Sequence, residues 1–533
     1  MLHTAYAPRG MAVAPHGRAA ESGAAVLHEG GDAVEACVAM AAGLAVLYPH
    51  MSGIGGDGFW LVHEPGREPW GVDACGAAAA GASIEGFRGA GLAAVPVRGP
   101  WAASTVAGTV AGWRAALATR AGPGGRGLPL ARLLEDAIRF AREGYPVSPS
   151  QSQAAAAHRR ELAAQPGFAG TFLVESRAPA AGARLAQPAL ADTLERLARS
   201  GLQDFYTGEL GAAIAADLRE MGSPLGAEDL AAHRAEIVAP LALALRGGTL
   251  YNLPPPTQGV ASLLILGLFE RLAGGALTCD GAEHVHLLVE ATKVVFGLRD
   301  RYLRDPRDMG ATRVSDWLGE PWLGRLASAI DPAAAAPWQG SGEGGDTTWL
   351  GAIDRYGRAA SCIQSLYHAF GSGVVLPTTG ILWHNRSHAF GLDPAAARAL
   401  RPGRKPPHTL NPALARLADG ATMVYGAMGG DGQPQTQAAI YTRHVVFGRP
   451  LQEALTAPRW LLGRNWGAPS SGLKLESRFA PEVVEGLRAR GQPVEVVAAF
   501  DPVMGHAGAL VRRADGLIEG AADPRSDGAA VGW

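Results

Sequence analysis

A chain of 533 residues that is 47% hydrophobic and 18% charged, with a formal net charge of −2, can bury a large core and carries less charge than the roughly one quarter usual for soluble domains. That balance gives no electrostatic reason to expect nucleic acid or an anionic membrane as a partner, and no basic residues cluster. No window reaches the ~20 unbroken apolar residues of a spanning helix, and Met1 to Gly10 lacks the apolar centre of a signal peptide, so the expectation is a cytoplasmic protein.

Gly30-Gly31-Asp32 precedes an almost uninterrupted apolar run, Ala33 to Leu47. Asp32 is placed to cap it, and a helix apolar all round is a buried one. Tyr48-Pro49-His50 stops the helix, and Asp57 to His63 mixes aromatic and β-branched residues as a buried strand does. Gly53-x-Gly55-x-x-Gly58 spells a dinucleotide fingerprint, but it precedes a strand instead of opening a helix after one, so a tight helix-to-strand turn is the better reading. Asp192-x-x-Glu195 resembles a capping box opening a helix over Thr193 to Ser200, with Gly201 as its C-terminal cap. A third helix is expected over His284 to Leu303. His284 and His286 lie two apart and face different ways on it, so no metal is assigned. The four cysteines, Cys37, Cys75, Cys279 and Cys362, show no C-x-x-C spacing and read as buried thiols.

From Thr347 onward the periodicity becomes that of strands. Thr347–Asp354 and Ala359–Tyr367, Pro412–Leu417 and Ala421–Gly426, and Ala507–Arg513 and Leu517–Ala522 each flank a Gly-containing turn, the pattern of a hairpin. Before them, residues 329–346 have few groups able to bury themselves and are expected to form a flexible tail. That tail ends in Gly344-Gly345-Asp346-Thr347-Thr348-Trp349-Leu350, which reads as a place where the chain cuts itself between Asp346 and Thr347. A threonine that becomes an N-terminus carries its own base, because a free α-amine has a pKa of roughly 7.7 to 8.0 and can take the hydroxyl proton at neutral pH. Thr347 is the expected nucleophile; Thr348 is a rival only if cleavage falls one bond later. Gly371-Ser372-Gly373 has one residue too few for a nucleophile elbow, so Ser372 is a turn residue.

Ordered blocks along the whole chain resemble the γ-glutamyltranspeptidase family of N-terminal-nucleophile hydrolases. They run from Gly30-Gly31-Asp32-Ala33-Val34 and Tyr48 through Phe59, by Leu253-Pro254-Pro255-Pro256-Thr257-Gln258-Gly259 and Glu290 through Pro306, to Phe370-Gly371-Ser372-Gly373, Gly429-Gly430, Leu451-Gln452-Glu453-Ala454 and Asp523 through Gly528. The resemblance implies an α+β fold, a four-layer αββα sandwich made as one precursor. It would split into a larger subunit, residues 1–346, mainly helical with core strands, and a smaller strand-rich subunit, residues 347–533, carrying the nucleophile. It further implies that Ser365 orients Thr347 and that the backbone N–H groups of Gly429 and Gly430 hold the oxyanion. The substrate would be a small-molecule acyl amide and the acceptor an amine or water, with no cofactor.

The departures lie in substrate recognition. Where the family has an arginine for the α-carboxylate of a γ-glutamyl group this chain has Cys75, and Ala389 stands for the aspartate that holds the α-amine. Tyr367 replaces an asparagine near the nucleophile, His408-Thr409 replace paired serines, and Trp349 stands where a histidine is common. Asn385 and Arg386 remain in the segment that carries substrate ligands, and the planar guanidinium of Arg386 suits a carboxylate on the acyl chain. Three readings follow: a hydrolase or acyltransferase of γ-glutamyl or similar acidic acyl amides, an acylase of the glutaryl-cephalosporin type, and an uncleaved, catalytically silent scaffold.

Overall fold

The computed structural model describes residues 3–119, 127–275, 277–338, 340, 345–465 and 470–533. Two seven-stranded antiparallel sheets form its centre. In one, the strands run in the order Ala529–Gly532, Met11–Ala14, Asp346–Ile353, Ala359–Tyr367, Asp57–His63, Trp70–Asp73 and Glu236–Val238. The other runs Ala5–Ala7, Ile518–Ala522, Ala507–Arg512, Thr422–Ala427, Ala413–Leu417, Gly248–Asn252 and Leu241–Leu245. Each sheet mixes strands from both sides of the Asp346–Thr347 bond. All three expected hairpins form, with Gly357, Gly420 and Gly516 at the positive φ angles (86°, 86° and 93°) that their turns require.

Alternation along the strands sends Phe59, Trp349, Ile363, Val424 and Leu510 into the layer between the sheets. Trp349 needs special room there. A Cβ at Gly426 of the facing sheet would lie 2.0 Å from its ring, and one at Gly508 would lie 2.4 Å away, so two glycines make the slot the indole fills. Its Nε1–H donates to Ser361 Oγ at 2.9 Å.

Helices cover both outer faces, completing the αββα order. Against the first sheet lies the wholly buried helix Ala33–Leu47. Asp32 begins it with a capping box: its carboxylate accepts from the N–H of Val34 and of Glu35, and Glu35 Oε2 accepts from the Asp32 N–H at 2.9 Å. The Ala33 N–H donates to Asp354 Oδ2 at 3.2 Å, which ties the helix start to the far end of the strand that opens with Asp346. Gly259–Leu272, Ala282–Tyr302 and Gly432–Tyr441 cover the second sheet.

One expected boundary is corrected. The helix read as starting near Asp192 spans Pro188–Ser200, with Pro188 in the first turn, where its missing N–H is no loss. Asp192 and Glu195 instead flank Arg142 on a neighbouring helix, at 2.5 and 2.8 Å. Gly201 ends the helix with φ 86° and ψ 160°, a positive-φ cap outside the left-handed helical region expected of such a glycine. Of the 329–346 tail, residues 339 and 341–344 lie outside the described residues. Upstream of them the Ala335 N–H donates to Arg490 O at 2.7 Å, Lys293 Nζ donates to Ala336 O at 2.7 Å, and Trp338 Nε1–H donates to Ser471 O at 2.7 Å.

Candidate active site

The strand pairing is irregular where self-cleavage is expected. Asp346 pairs with Tyr367 and Thr348 with Gln364, so two steps on one strand face three on the other, a bulge. Thr347 sits at that irregularity, buried, with its hydroxyl 3.5 Å from Ser365 Oγ. The Thr348 hydroxyl is spent on Gln364 O at 3.0 Å, which leaves it a cross-strand role. Ser365 Oγ also accepts the Tyr367 N–H at 2.8 Å. Tyr367 holds φ at 80°, a conformation that bulky residues adopt only where surrounding structure enforces it. A Cβ at Gly345 would touch the Tyr367 ring at 3.0 Å, so the backbone just before the junction runs along that ring's edge.

Arg386 packs on the same ring. Its guanidinium carbon lies 4.0 Å from the ring centroid and Nη2 donates to Pro407 O; the side chain is buried. His368 stacks on Tyr367 at 4.3 Å. Asn385 builds this corner: its Nδ2 reaches Val97 O at 2.8 Å and His368 Nδ1 at 2.9 Å, while its Oδ1 accepts the His368 N–H at 3.1 Å. Arg386, His408 and Thr409 line one narrow cleft, together with Gln258, Arg398 and Asp431, and its free volume is about 20 Å³, the space of a water or two.

His408 turns inward, donating Nε2–H to Asp57 Oδ2 at 3.1 Å. Burial, aided by the Arg386 charge, pushes its pKa down to about 3, so the imidazole is neutral at neutral pH. Asp57 pairs across the strands with Ser365. Its other oxygen accepts the N–H of Gly76 at 3.0 Å and of Gly108 at 3.3 Å, and His384 Nδ1 lies 3.5 Å from Oδ2. Against the upward push of burial, the imidazoles of His384 and His408 hold this carboxyl well below the usual carboxylate range. Cys75 lies beside it, its thiol pushed well up by burial and by Asp57 and Asp73, so it is neutral at neutral pH. Asp57, Cys75 and His408 place possible ligand atoms within 4.8 Å of one another. Because the Asp57 oxygens are already engaged by two backbone N–H groups and two imidazoles, the cluster is a hydrogen-bonded one. On its other side Cys75 lines a second cavity of about 860 Å³, with Asp73, Lys405, Pro254 and Pro255.

Gly429 and Gly430, at φ 119° and 38°, follow the strand Thr422–Ala427 and lead through Asp431 into the helix Gly432–Tyr441. A Cβ at Gly429 would fall 2.2 Å from Asn465 Nδ2, so only glycine fits. Among the described residues, neither glycine N–H donates to a protein acceptor. The arrangement thus has a buried threonine hydroxyl with a serine hydroxyl 3.5 Å away, a buried cation on the Tyr367 ring and, at the end of a strand in the facing sheet, two backbone donors at a helix N-terminus, where negative charge is stabilised. Asp57, Gln258, Arg299 and His384 support these groups, yet no spacing rule marks them in the sequence; three of them lie inside motif blocks with no chemical role attached.

A model of γ-glutamyltranspeptidase matches residues 19–533. The chain belongs to the γ-glutamyltranspeptidase family. It is 54% identical over 524 residues to the oxamate amidohydrolase proenzyme of Klebsiella pneumoniae subsp. pneumoniae, covering 98% of each chain. To a glutathione hydrolase-like proenzyme of Bacillus subtilis it is 39% identical over 525 residues, again covering 98% of each. Among solved structures, the cephalosporin acylase from Bacillus halodurans superposes with a TM-score of 0.90 at 32% identity, covering 100% of this chain and 97% of that one. This γ-glutamyltranspeptidase-family member is an enzyme of the N-terminal-nucleophile amidohydrolase type with the αββα fold. None of its described helices is long and apolar enough to cross a membrane.

Proposed function

We propose that the chain cuts its own backbone before Thr347 and then hydrolyses a short carboxylated amide of the oxamate type through an acyl-threonine ester. In the precursor, the Thr347 hydroxyl adds to the Asp346 carbonyl and its proton passes to the departing Thr347 nitrogen. Water opens the resulting ester and leaves a free α-amine. In the mature enzyme that amine takes the hydroxyl proton as Thr347 Oγ attacks the substrate carbonyl; the proton leaves with ammonia, and a second water releases the diacid. Ser365 orients the hydroxyl. The N–H groups of Gly429 and Gly430 receive the developing oxyanion, at a worth of about 3–4 kcal/mol per donor.

The observation that carries this reading is the buried Arg386 on Tyr367. Tyr367 is the register partner of the residue preceding the nucleophile, so a cation stands next to the acyl side of the scissile bond. The family cation lost at Cys75 is supplied from position 386, and the Arg386 charge acts on both Cys75 and His408. A cleft of only about 20 Å³ disfavours acyl groups with a long side chain, and an oxalyl group has a carboxylate and no side chain. The 54% identity to an oxamate amidohydrolase proenzyme supports the same substrate class.

A second reading, an acylase of the glutaryl type, draws support from Ala389, which is buried and has no group for an α-amine. The cavity of about 860 Å³ beyond Cys75 would admit bulkier amides. Side-by-side turnover of oxamate, γ-glutamyl-p-nitroanilide and glutaryl-p-nitroanilide separates the readings. Oxamate hydrolysis at least tenfold above the other two in kcat/KM is expected, and preference for either anilide would overturn the oxamate assignment. Transfer to an amine in place of water is read in the same assay by adding an amino acid acceptor.

A further inference from the structure

The blocks Leu253–Gly259 and Glu290–Pro306 take no part in the chemistry described so far, yet they converge behind the glycine turn. Gln258 comes from the first and is buried. Its Nε2 donates to Thr409 O at 2.7 Å and to Gly430 O at 2.8 Å, so both amide protons are used on carbonyls from two separate segments. Its Oε1 accepts from Arg299 Nη1 at 3.0 Å, and the same nitrogen donates to Asp431 Oδ1 at 2.6 Å. Arg299, from the second block, lies with its guanidinium carbon 3.8 Å from the Phe296 ring centroid. Asp431 Oδ2 accepts the Arg464 N–H at 3.0 Å.

Two consecutive glycines have the least intrinsic preference of any dipeptide, and donors aimed at a transition state are effective only when fixed in advance. Something outside the turn must therefore hold it. The Gly430 carbonyl sets the plane of the peptide that follows the second donor, and Gln258 grips that carbonyl. The carboxylate of the next residue is gripped by Arg299. The same amide holds the backbone of Thr409 in the acyl cleft, so one side chain sets the spacing between the oxyanion turn and the acyl-binding segment.

We propose that Gln258 and Arg299 are positioning residues that hold the Gly429–Gly430 turn in its oxyanion-binding conformation. This rests on reading those glycines as oxyanion donors. Both side chains line the back of the acyl cleft, and their positioning role is exerted through the turn.

The test uses the full chain after self-cleavage, with oxamate as substrate. Gln258→Met keeps the length and removes both donors. Because a misplacement of about 1 Å can cost on the order of 100-fold in rate, kcat is expected to fall on that order while KM stays within about threefold and the melting temperature within a few degrees. Arg299→Lys, which keeps the charge opposite Asp431 but shortens the reach to Gln258, should give a smaller loss of the same kind. If Gln258→Met does not fold, Arg299→Lys alone decides. Full kcat in the decisive variant, or a rise in KM with kcat unchanged, would overturn the assignment. A wild type that neither cleaves itself nor turns over oxamate would overturn the functional reading and this inference together, whereas an active wild type with an equally active Gln258→Met would overturn this inference alone.

Discussion

Replacing Arg386 by methionine tests the substrate assignment where it is most exposed. The side chain is 1% exposed, so a carboxylate meeting it does so out of water, and removing one partner of a buried ion pair typically costs about 3–5 kcal/mol. Taking the lower value, and about 1.4 kcal/mol per factor of ten in rate, kcat/KM for oxamate should fall about 150-fold. Oxamide, the uncharged analogue of the same size, makes no ion pair, so its turnover should change by less than about fivefold. The ratio of the two is the useful quantity, because any general loosening from the lost stack on Tyr367 affects both. Both substrates are followed by ammonia release, and the appearance of two fragments on a gel shows that the variant has folded and cut itself. A ratio that stays within a factor of two of the wild type would mean that Arg386 is a structural cation and that the substrate carboxylate, if there is one, is held elsewhere.

Thr347→Ala should remain a single chain and lose amide hydrolysis entirely, while N-terminal sequencing of active wild type should find a fragment beginning at Thr347; a cleaved Thr347→Ala would move the nucleophile to another residue. Gly426→Ala places a methyl 2.0 Å from the Trp349 ring and should lower stability by about 1–3 kcal/mol, read as a lower thermal midpoint; an unchanged midpoint would show that the indole can shift at no cost. Asp57, held below the usual carboxylate range in the fold, binds fewer protons there than in the unfolded chain, whose carboxyl titrates near pH ~3.9. Its contribution is therefore complete above that pH and is lost as the pH falls. In urea titrations the stability gap between wild type and Asp57→Asn should be widest at pH 6 and narrow towards pH 3; a gap independent of pH would remove ionic character from this site.

Much of the architecture was legible because local signals and tertiary demands agreed. Asp57–His63 is apolar on both faces and forms a strand buried on both faces, and the three hairpins carry the glycines their turns need. Asp192 misled because a capping-box spacing is not unique to helix starts, and Pro188, a stronger signal four residues earlier, sets the boundary. The candidate site was legible in part. The ordered family-like blocks single out Thr347 after the small-residue tract, and the charge missing at Cys75 directs attention to Arg386. By contrast, the inward turn of His408 towards Asp57 and the bridge made by Gln258 to Gly430 join residues 351 and 172 positions apart. No periodicity encodes a contact of that kind; only the sheet register brings it about.

The interleaving of strands has a consequence for the severed molecule. The strand that opens with Asp346 lies between Met11–Ala14, from upstream of the junction, and Ala359–Tyr367, from downstream. Breaking one peptide bond therefore creates two polypeptides that remain woven through each other, and dilution alone offers them no route apart. A terminus made at Thr347 would keep its register with Ala359–Tyr367 on one flank, while the other flank is held further along, from Gly351 to Ile353, so maturation would alter chemistry at a single nitrogen without asking either piece to find its partner again.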